Sequence, residues 1–559
     1  MAHPRALRRP VFAAAASLAL VGTVLLGGCA GSASSSTGTL SGNQLLTIPR
    51  EDFSTFSRNF NPFSPNALPM TDQAIYEPML VFNPADNKTT PWLASSWKVA
   101  SDGRSVTFTL RNGLTWSDGQ ALTAADVVYT FELQKKLLGG YTYLAGVKAL
   151  NTHTILFSFN KPYSPGLYDL GAQVIVPEHI WSTISNPSKY TNPDPVGSGP
   201  YTQVEDFTAQ SYELKKNPHY WQPAKQHIAG VELLAFDGND PANLATIAGQ
   251  TDWADQYIPN IQSTFVDRDP KNRGYWFPPV GSLVNWTMNT TKAPFNDVNV
   301  RKALSMAIHR STITKIGESG YATAADCTGL TGGYDAWRDS SVVSSCDWTD
   351  YNVAAANKLL DEAGYPRGAN GIRKLKNGQP FSFTIEVGST SSDWLSVANI
   401  ISEELKAVGV EATVKAPNWS VVTSDYADGD YDTGIVWSDD DATPYQFYQG
   451  VMSPTTVEPV GTQTTDNYNR FGDSKADTLL NEFAASSTEA GQKTAVDGLQ
   501  ELFSQDAPVV PLFDGPQWGA YNDTRFTGFP TAANPYATLS TRTATAVLVL
   551  TTLQPVVSH

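Results

Sequence analysis

Three cysteines and seven histidines are all that 559 residues offer for thiolate or imidazole chemistry, and the histidines (3, 153, 179, 219, 227, 309 and 559) are scattered. No HExxH, Walker loop, dinucleotide fingerprint or nucleophile elbow occurs, so the enzyme classes built on those motifs lose their sequence support. Basic residues are scarce as well: 38 face 54 acidic ones, a formal charge of −16. Such a surface repels nucleic acid and anionic lipid heads, and no basic aromatic patch offsets it, so nucleic-acid binding is set aside. Also missing is an apolar run of the ~20 residues that span a membrane. The run from Val11 to Leu26 has 16 residues, and the closing "AVLVLTTL" is shorter and Thr-rich, reading as a core strand. What is present is globular material, 41% hydrophobic and 11% aromatic, with 42 Gly and 36 Pro that point to many turns. The length exceeds what one core usually serves, so two or more lobes are expected.

Arg5, Arg8 and Arg9 precede the Val11–Leu26 run, which reads as an export signal over residues 1–28. It ends in "LLGGC", similar to the lipobox of bacterial lipoproteins, which implies cleavage before Cys29 and a diacylglyceryl thioether on its sulfur. A plain secretory signal with an incidental cysteine is the alternative. Residues 29–44, rich in Ser and Gly, then form a flexible tether reaching on the order of 20 Å. The expected location is outside the cell, lipid-anchored to the outer face of the bacterial cytoplasmic membrane. Three arginines leave with the signal, so 35 basic residues face 54 acidic ones, a formal −19. With Cys29 lipidated, Cys327 and Cys346 remain, and in an oxidising compartment this pair is expected to form a disulfide. Two free thiols are the alternative. Zinc lacks a second Cys or His pair nearby.

Short turn-punctuated strands occupy Leu45 to Val128. "RSVTFTLRNGLTWSDG" alternates at Val106, Phe108 and Leu110 and breaks at Asn112-Gly113 and Asp118-Gly119, a hairpin signal. Thr123 with Asp126 three residues on forms a capping box before a helix carrying Val127, Val128, Phe131 and Leu133. Helical spacing of Ala303, Leu304, Ala307 and Ile308 predicts a second helix from about Val300 to Ile316. From Phe381 to Trp437 the period alternates strand, helix, strand, helix, strand, the pattern of a parallel α/β sheet, whose ligands bind beyond the carboxyl ends of the strands. The last of these strands, Tyr431 to Trp437, runs into Asp439, Asp440 and Asp441 with aromatics on both sides. Helices near Lys475–Ser486 and Gln492–Phe503 follow, then a strand at "PVVPLF".

Several stretches resemble the family 5 solute-binding proteins of bacterial ABC importers, the oligopeptide and dipeptide class. They are "PWLASSWKVASDGRSVTFTLRNGLTWSDGQALTAADVVYTFE" (91–132), "VGSGPYTQ" and "KKNPHYW" (196–221), "FNDVNVRKALSMAIHR" (295–310), "LLDEAGYP" (359–366) and "PVVPLF" (508–513), in the family's order. The resemblance implies a two-lobe periplasmic-binding-protein type II α/β fold with an extra subdomain in the N-terminal lobe. Residues 45–288 with 506–559 would form lobe one and 289–505 lobe two, with Leu283 to Asn289 as one crossing. It further implies a monomer that captures a short peptide between its lobes for a permease and an ATPase, with no chemistry, cofactor or metal. In peptide-binding relatives a strand-end Trp is followed at plus three by an Asp that pairs with the peptide's ammonium group, at plus seven by Pro and at plus ten by Phe. Trp437, Asp440, Pro444 and Phe447 stand at those offsets.

Asp440 is therefore the leading ligand-binding candidate, with Trp437, Ser438, Asp439, Asp441, Tyr445 and Phe447 around it. Main-chain groups beside Trp437 and Ser438 suit an added peptide strand. By family position Asn61 and Phe63 of "NFNPFSP" border the cleft, although a turn anchoring a buried Phe is the plainer reading. "ATPYQFY" is also similar to members assigned to oligosaccharides, so a β-linked, cello-type oligosaccharide is the alternative ligand. The triplet does not fit an EF-type calcium loop, which alternates its acids and carries a Gly and a distal Glu. A glycosidase carboxylate pair and a plain solvated acidic loop stand as the remaining alternatives.

Overall fold

The structure is a computed structural model describing residues 44–278, 280–438 and 441–556. Its organising element is a five-stranded sheet in the order Glu411–Lys415, Ser382–Glu386, Thr433–Trp437, Leu283–Met288, Val510–Asp514. The first three strands run parallel and the last two antiparallel to their neighbours. Two helices make the parallel crossovers, Ser392–Glu404 and Trp419–Asp428. Each crossover is ended by a glycine in the left-handed region, Gly409 (φ 73°) after one further tight turn and Gly429 (φ 75°), conformations that cost other residues strain. Leu283–Met288 is buried along its whole length, as a strand covered on both faces must be. Gly434 lets the Tyr426 ring lie against the sheet, since a Cβ there would sit 2.0 Å from the hydroxyl. That hydroxyl donates to the Glu386 carbonyl and accepts from Ile435 N at 3.2 Å.

Two four-stranded sheets come from the first half of the chain. In one, Leu45–Arg50 runs parallel to Gly230–Ala235, followed by Ser211–Lys216 and Tyr201–Glu205. The other is antiparallel, in the order Ala94–Val99, Ser105–Leu110, Thr154–Phe159, Leu144–Asn151. The helix Ala124–Leu138 covers it, with Phe131 edge-on to Phe157 at 4.8 Å, and its start carries the capping box of Thr123 and Asp126. The C-terminal region returns to the first half: Ala520–Asn522 lies between Trp253–Ala254 and Arg273–Tyr275 in a three-stranded sheet, and the Trp253 indole donates to the Leu539 carbonyl at 2.8 Å.

Three local expectations are corrected. Ser105–Leu110 pairs with Ala94–Val99 and Thr154–Phe159 and makes no hairpin through Asn112-Gly113; the tight reversal falls at the second break, Asp118-Gly119, where Thr115 faces Ala121 and Trp116 N–H donates to the Gln120 carbonyl at 2.8 Å. The helix expected over 300–316 is Val298–Met306, followed by separate turns at Arg310–Thr312 and Ile313–Gly317. His309 leaves the helical region and donates its N–H to Glu404 at 2.6 Å, while the Arg310 guanidinium takes the Ser305 carbonyl at 3.2 Å and the Pro511 carbonyl at 2.7 Å. "AVLVLTTL" holds a helix, Ala546–Leu550, in place of the expected strand. It is buried on nearly all sides, and periodicity cannot separate helix from strand in so short an apolar run.

Cys327 and Cys346 are joined by a disulfide with Cα atoms 6.4 Å apart, closing a span of 19 residues. Cys346→Ser is expected to lower stability by about 3 kcal/mol, the figure for a loop of this size. The measurement is the urea midpoint, which reductant should lower equally in the unsubstituted protein. An unmoved midpoint in both cases would contradict the expectation.

Candidate functional site

The carboxyl ends of the three parallel strands converge on a cavity of about 1070 Å3. Each end supplies an indole to its wall. Trp394 and Trp419 stand in the first turns of the two crossover helices, with rings 5.9 Å apart, and Trp437 closes the third strand. Gly388 lets Trp419 approach, since a Cβ there would lie 2.3 Å from the ring. Opposite them Trp518 packs edge-on to Tyr257 at 5.2 Å.

The same wall carries a charge cluster. Arg542 bonds Glu51 at 2.6 Å and Asp52 at 2.9 Å and lies 3.4 Å from Asp255, while Arg50 bonds Asp52 at 2.8 Å. Three carboxyls thus share two guanidiniums. Burial, opposed by Arg542, pushes the Glu51 carboxyl up to about 7. Burial acts the same way on Asp52, but Arg50 and Arg542 overcome it and hold that carboxyl well below its usual range. Burial also brings Asp393, at the start of the first crossover helix, up to about 6.

A second cavity of about 740 Å3 shares Asp169, Trp437 and Asp441 with the first. Tyr143 and Tyr163, stacked at 3.8 Å, stand on one side of it, and Asn285, Ser438, Gln446 and Phe447 on the other. Asp169 accepts from Gln446 at 2.7 Å, and burial pushes its carboxyl up to about 6. Among the described residues of both walls the one cation is Arg542. Four buried carboxyl and amide oxygens on these walls have no hydrogen-bond partner, namely those of Glu51 (Oε2), Asp255 (Oδ1), Gln256 (Oε1) and Asn285 (Oδ1). No described wall nitrogen is left in that state. Buried polar atoms are rarely unpaired, and the Asp255, Gln256 and Asn285 oxygens among these fit a ligand that brings hydrogen-bond donors.

The sequence candidates divide. Trp437 and Asp441 line both cavities, and Ser438 and Phe447 the smaller one. Asp439, Asp440 and Cys29 lie outside the described residues. Tyr445 is buried between Tyr163 and Phe483 and lines neither cavity. Asn61 anchors its own loop, donating to the Pro187 and Tyr190 carbonyls and accepting from Phe63 N, and Phe63 packs edge-on to Trp181. From that loop it is Pro65 and Asn66 that reach the larger cavity. The expected strand edge is partly open. Ser438 pairs with Leu283 through N–H and hydroxyl, but Ser382–Glu386 runs beside this strand only at Thr433 and Gly434, leaving Val436 and Trp437 without a strand on that side. Trp394, Trp419, Trp518, Asp169, Asp255 and Arg542 were not foreseen.

Fold and cavities together define a two-lobe α/β binding protein whose cleft lies at strand carboxyl ends. The profile described as bacterial extracellular solute-binding proteins, family 5 Middle, matches residues 88–458. Protein XP55 of Streptomyces lividans is 29% identical over 361 residues, 61% of this chain and 62% of that protein. The periplasmic murein peptide-binding protein MppA of Escherichia coli is 24% identical over 450 residues, 76% of this chain and 79% of that protein. The fold superposes on the mannohexaose-bound periplasmic oligopeptide-binding protein of Thermotoga maritima with a TM-score of 0.84 at 28% identity, covering 92% of this chain and 99% of that one. On the Bacillus subtilis oligopeptide-binding protein AppA in complex with a nonapeptide the TM-score is 0.76 at 19% identity, with the same coverage. The chain belongs to the family 5 extracellular solute-binding proteins, the non-enzymatic substrate-binding components of ABC importers. Among the described residues no helix is long and apolar enough to cross a membrane.

Proposed function

We propose that this protein captures a neutral oligosaccharide in the joined cavities and delivers it to a membrane permease, acting as a monomer lipid-anchored through Cys29. The observation that carries the reading is the placement of Trp394, Trp419 and Trp437 at the ends of three adjacent parallel strands, facing a wall of unpartnered acceptors. Indole faces stack on the apolar faces of sugar rings, and the acceptors take sugar hydroxyls. Arg542, bound by three carboxyls, offers no charge for a carboxylate-bearing ligand. The mannohexaose in the 28%-identical Thermotoga maritima structure supports the same class.

In this reading the chain crosses between lobes near Ser282 and Gly515. These residues bond each other, Gly515 N to Ser282 O at 2.9 Å and Ser282 Oγ to Gly515 O at 3.0 Å. The crossings sit slightly outside the boundaries at 288 and 506 expected from sequence, because Leu283–Met288 and Val510–Asp514 share the sheet of the intervening segment.

Peptide capture is the second reading. The acidic stretch ending in Asp441 and the open strand edge at Val436 and Trp437 favour it, as does the nonapeptide held by AppA.

A thermal-shift screen decides between them. Manno- and cello-oligosaccharides are expected to raise the melting temperature, by the equivalent of about 2.7 kcal/mol at a hundredfold excess over Kd, while free-amine peptides leave it unchanged. Stabilisation by peptides alone, lost on N-acetylation and in Asp440→Asn, would replace the oligosaccharide reading with the peptide one.

A further inference from the structure

The 740 Å3 cavity is separated from the larger one by Asp169, Trp437 and Asp441, the residues common to both walls. The larger space already matches the upper end of what a drug-sized ligand fills, so the smaller one is surplus unless the ligand is long. Its lining differs in kind: tyrosines and amides stand in place of Trp394, Trp419 and Trp518, and no lysine or arginine occurs among its described residues. Asn285, 2% exposed, presents an unpartnered Oδ1 there. Asp169, reaching over from the helix Gly166–Ala172, is held by Gln446 of the helix Tyr445–Met452.

We infer that the smaller cavity is a terminal subsite, receiving the uncharged, donor-bearing end of a ligand chain that threads past Trp437 and Asp169, and so sets the length of chain the protein prefers. This rests on the oligosaccharide reading for the chemistry of that end. The geometry itself concerns length alone. A chain occupying only the tryptophan-lined space leaves Asn285 Oδ1 unsatisfied, and each unit entering the smaller space adds hydroxyl donors opposite it. A carboxylate end is disfavoured, because nothing on the described wall neutralises it.

Gly450 gives the means of testing this. It lines the smaller cavity and is absent from the wall of the larger one, and a Cβ there would meet only Asp466 Cβ at 3.9 Å, an ordinary contact. Gly450→Phe carries a ring from this wall position into the cavity, and an unchanged melting temperature without ligand checks that the fold is kept. Calorimetric affinities are measured for a manno-oligosaccharide length series and a free-amine peptide length series, in both proteins. The expected result is that Gly450→Phe loses tenfold or more in affinity for the longest chains and less than twofold for the shortest, so its length profile flattens. Gly450→Ala, which leaves the space open, should keep the original profile. If only peptides bind, the ligand class proposed above fails, while the peptide length profile still decides the terminal subsite. Indistinguishable profiles for the plugged and original proteins, in whichever series binds or in neither, overturn the inference.

Discussion

Trp437→Ala is expected to weaken ligand binding by about 30- to 1000-fold. Trp437 is the one indole on the walls of both cavities, so truncation removes a contact surface from each. Central, desolvated tryptophans that act as anchors contribute roughly 2 to 4 kcal/mol on truncation, which spans about 30- to 1000-fold in Kd. The substitution should fold, because Trp437 is only partly buried and ends its strand, while the core of that strand is Ile435. Trp437→Phe, which keeps a ring, should fall between the two. Calorimetry with whichever ligand raises the melting temperature gives the answer, and a loss under threefold at unchanged stability would show that this indole is not part of the ligand wall.

Stability is expected to fall by several kcal/mol between pH 5 and pH 8. One contributor is Glu77, wholly buried, with its carboxyl accepting from Trp92 at 2.8 Å, Tyr220 at 2.9 Å and Trp221 at 3.1 Å. Burial outweighs these donors and pushes its titration up to about 7. Glu318, 1% exposed, is pushed well above its usual range by burial and by Asp393 and Asp514. Glu51 and Asp393 move in the same direction. The folded state therefore keeps protons that the unfolded chain has already released. The stabilisation is complete below about pH 4.5 and is lost as pH rises through about 7. For Glu77 alone the difference corresponds to roughly 3 kcal/mol. Asp52, shifted the other way, changes its contribution only at more acidic pH. Urea midpoints at fixed ionic strength should decline steadily from pH 5 to 8, and Glu77→Gln, which cannot ionise, should make the decline shallower by its share. A level or rising profile would contradict the assignment of these carboxyls as protonated in the fold.

The legible parts of this molecule are those whose signals are local. The alternation over 381–437 delivered three parallel strands and two crossover helices, because each helix stops at a glycine and each strand is a short β-branched run. Thr123 and Asp126 announced their helix in the same way. Trp437 was reachable only through resemblance, since nothing in its neighbours says that its ring faces a cavity. The charge cluster was beyond reach: Arg542 meets Asp52 and Glu51 across 490 and 491 positions, and no local pattern pairs residues so far apart. Trp394 and Trp419 drew no reading from the sequence, and only the assembled sheet shows that the first turn of each helix lies at the cleft. Asn61 and Phe63 follow the plainer of their two readings. An Asn in an Asn-Pro-Phe turn is equally suited to facing a ligand or to tying down its own loop, and here its amide is spent on Pro187 and Tyr190.

Gly515 stands where the chain passes beside Ser282, and a Cβ at that position would lie 2.9 Å from the tip of the Trp437 ring. The backbone at that point and the indole proposed to meet the ligand are thus in direct contact. A ligand shifts a conformational equilibrium only by the difference in its affinity for the two states. With one ring touching both the ligand chamber and the chain beside Ser282, tilting either one changes what the other feels. On the proposed reading, occupancy and lobe angle become two readings of a single variable, and a permease would need to sense only the second to learn the first.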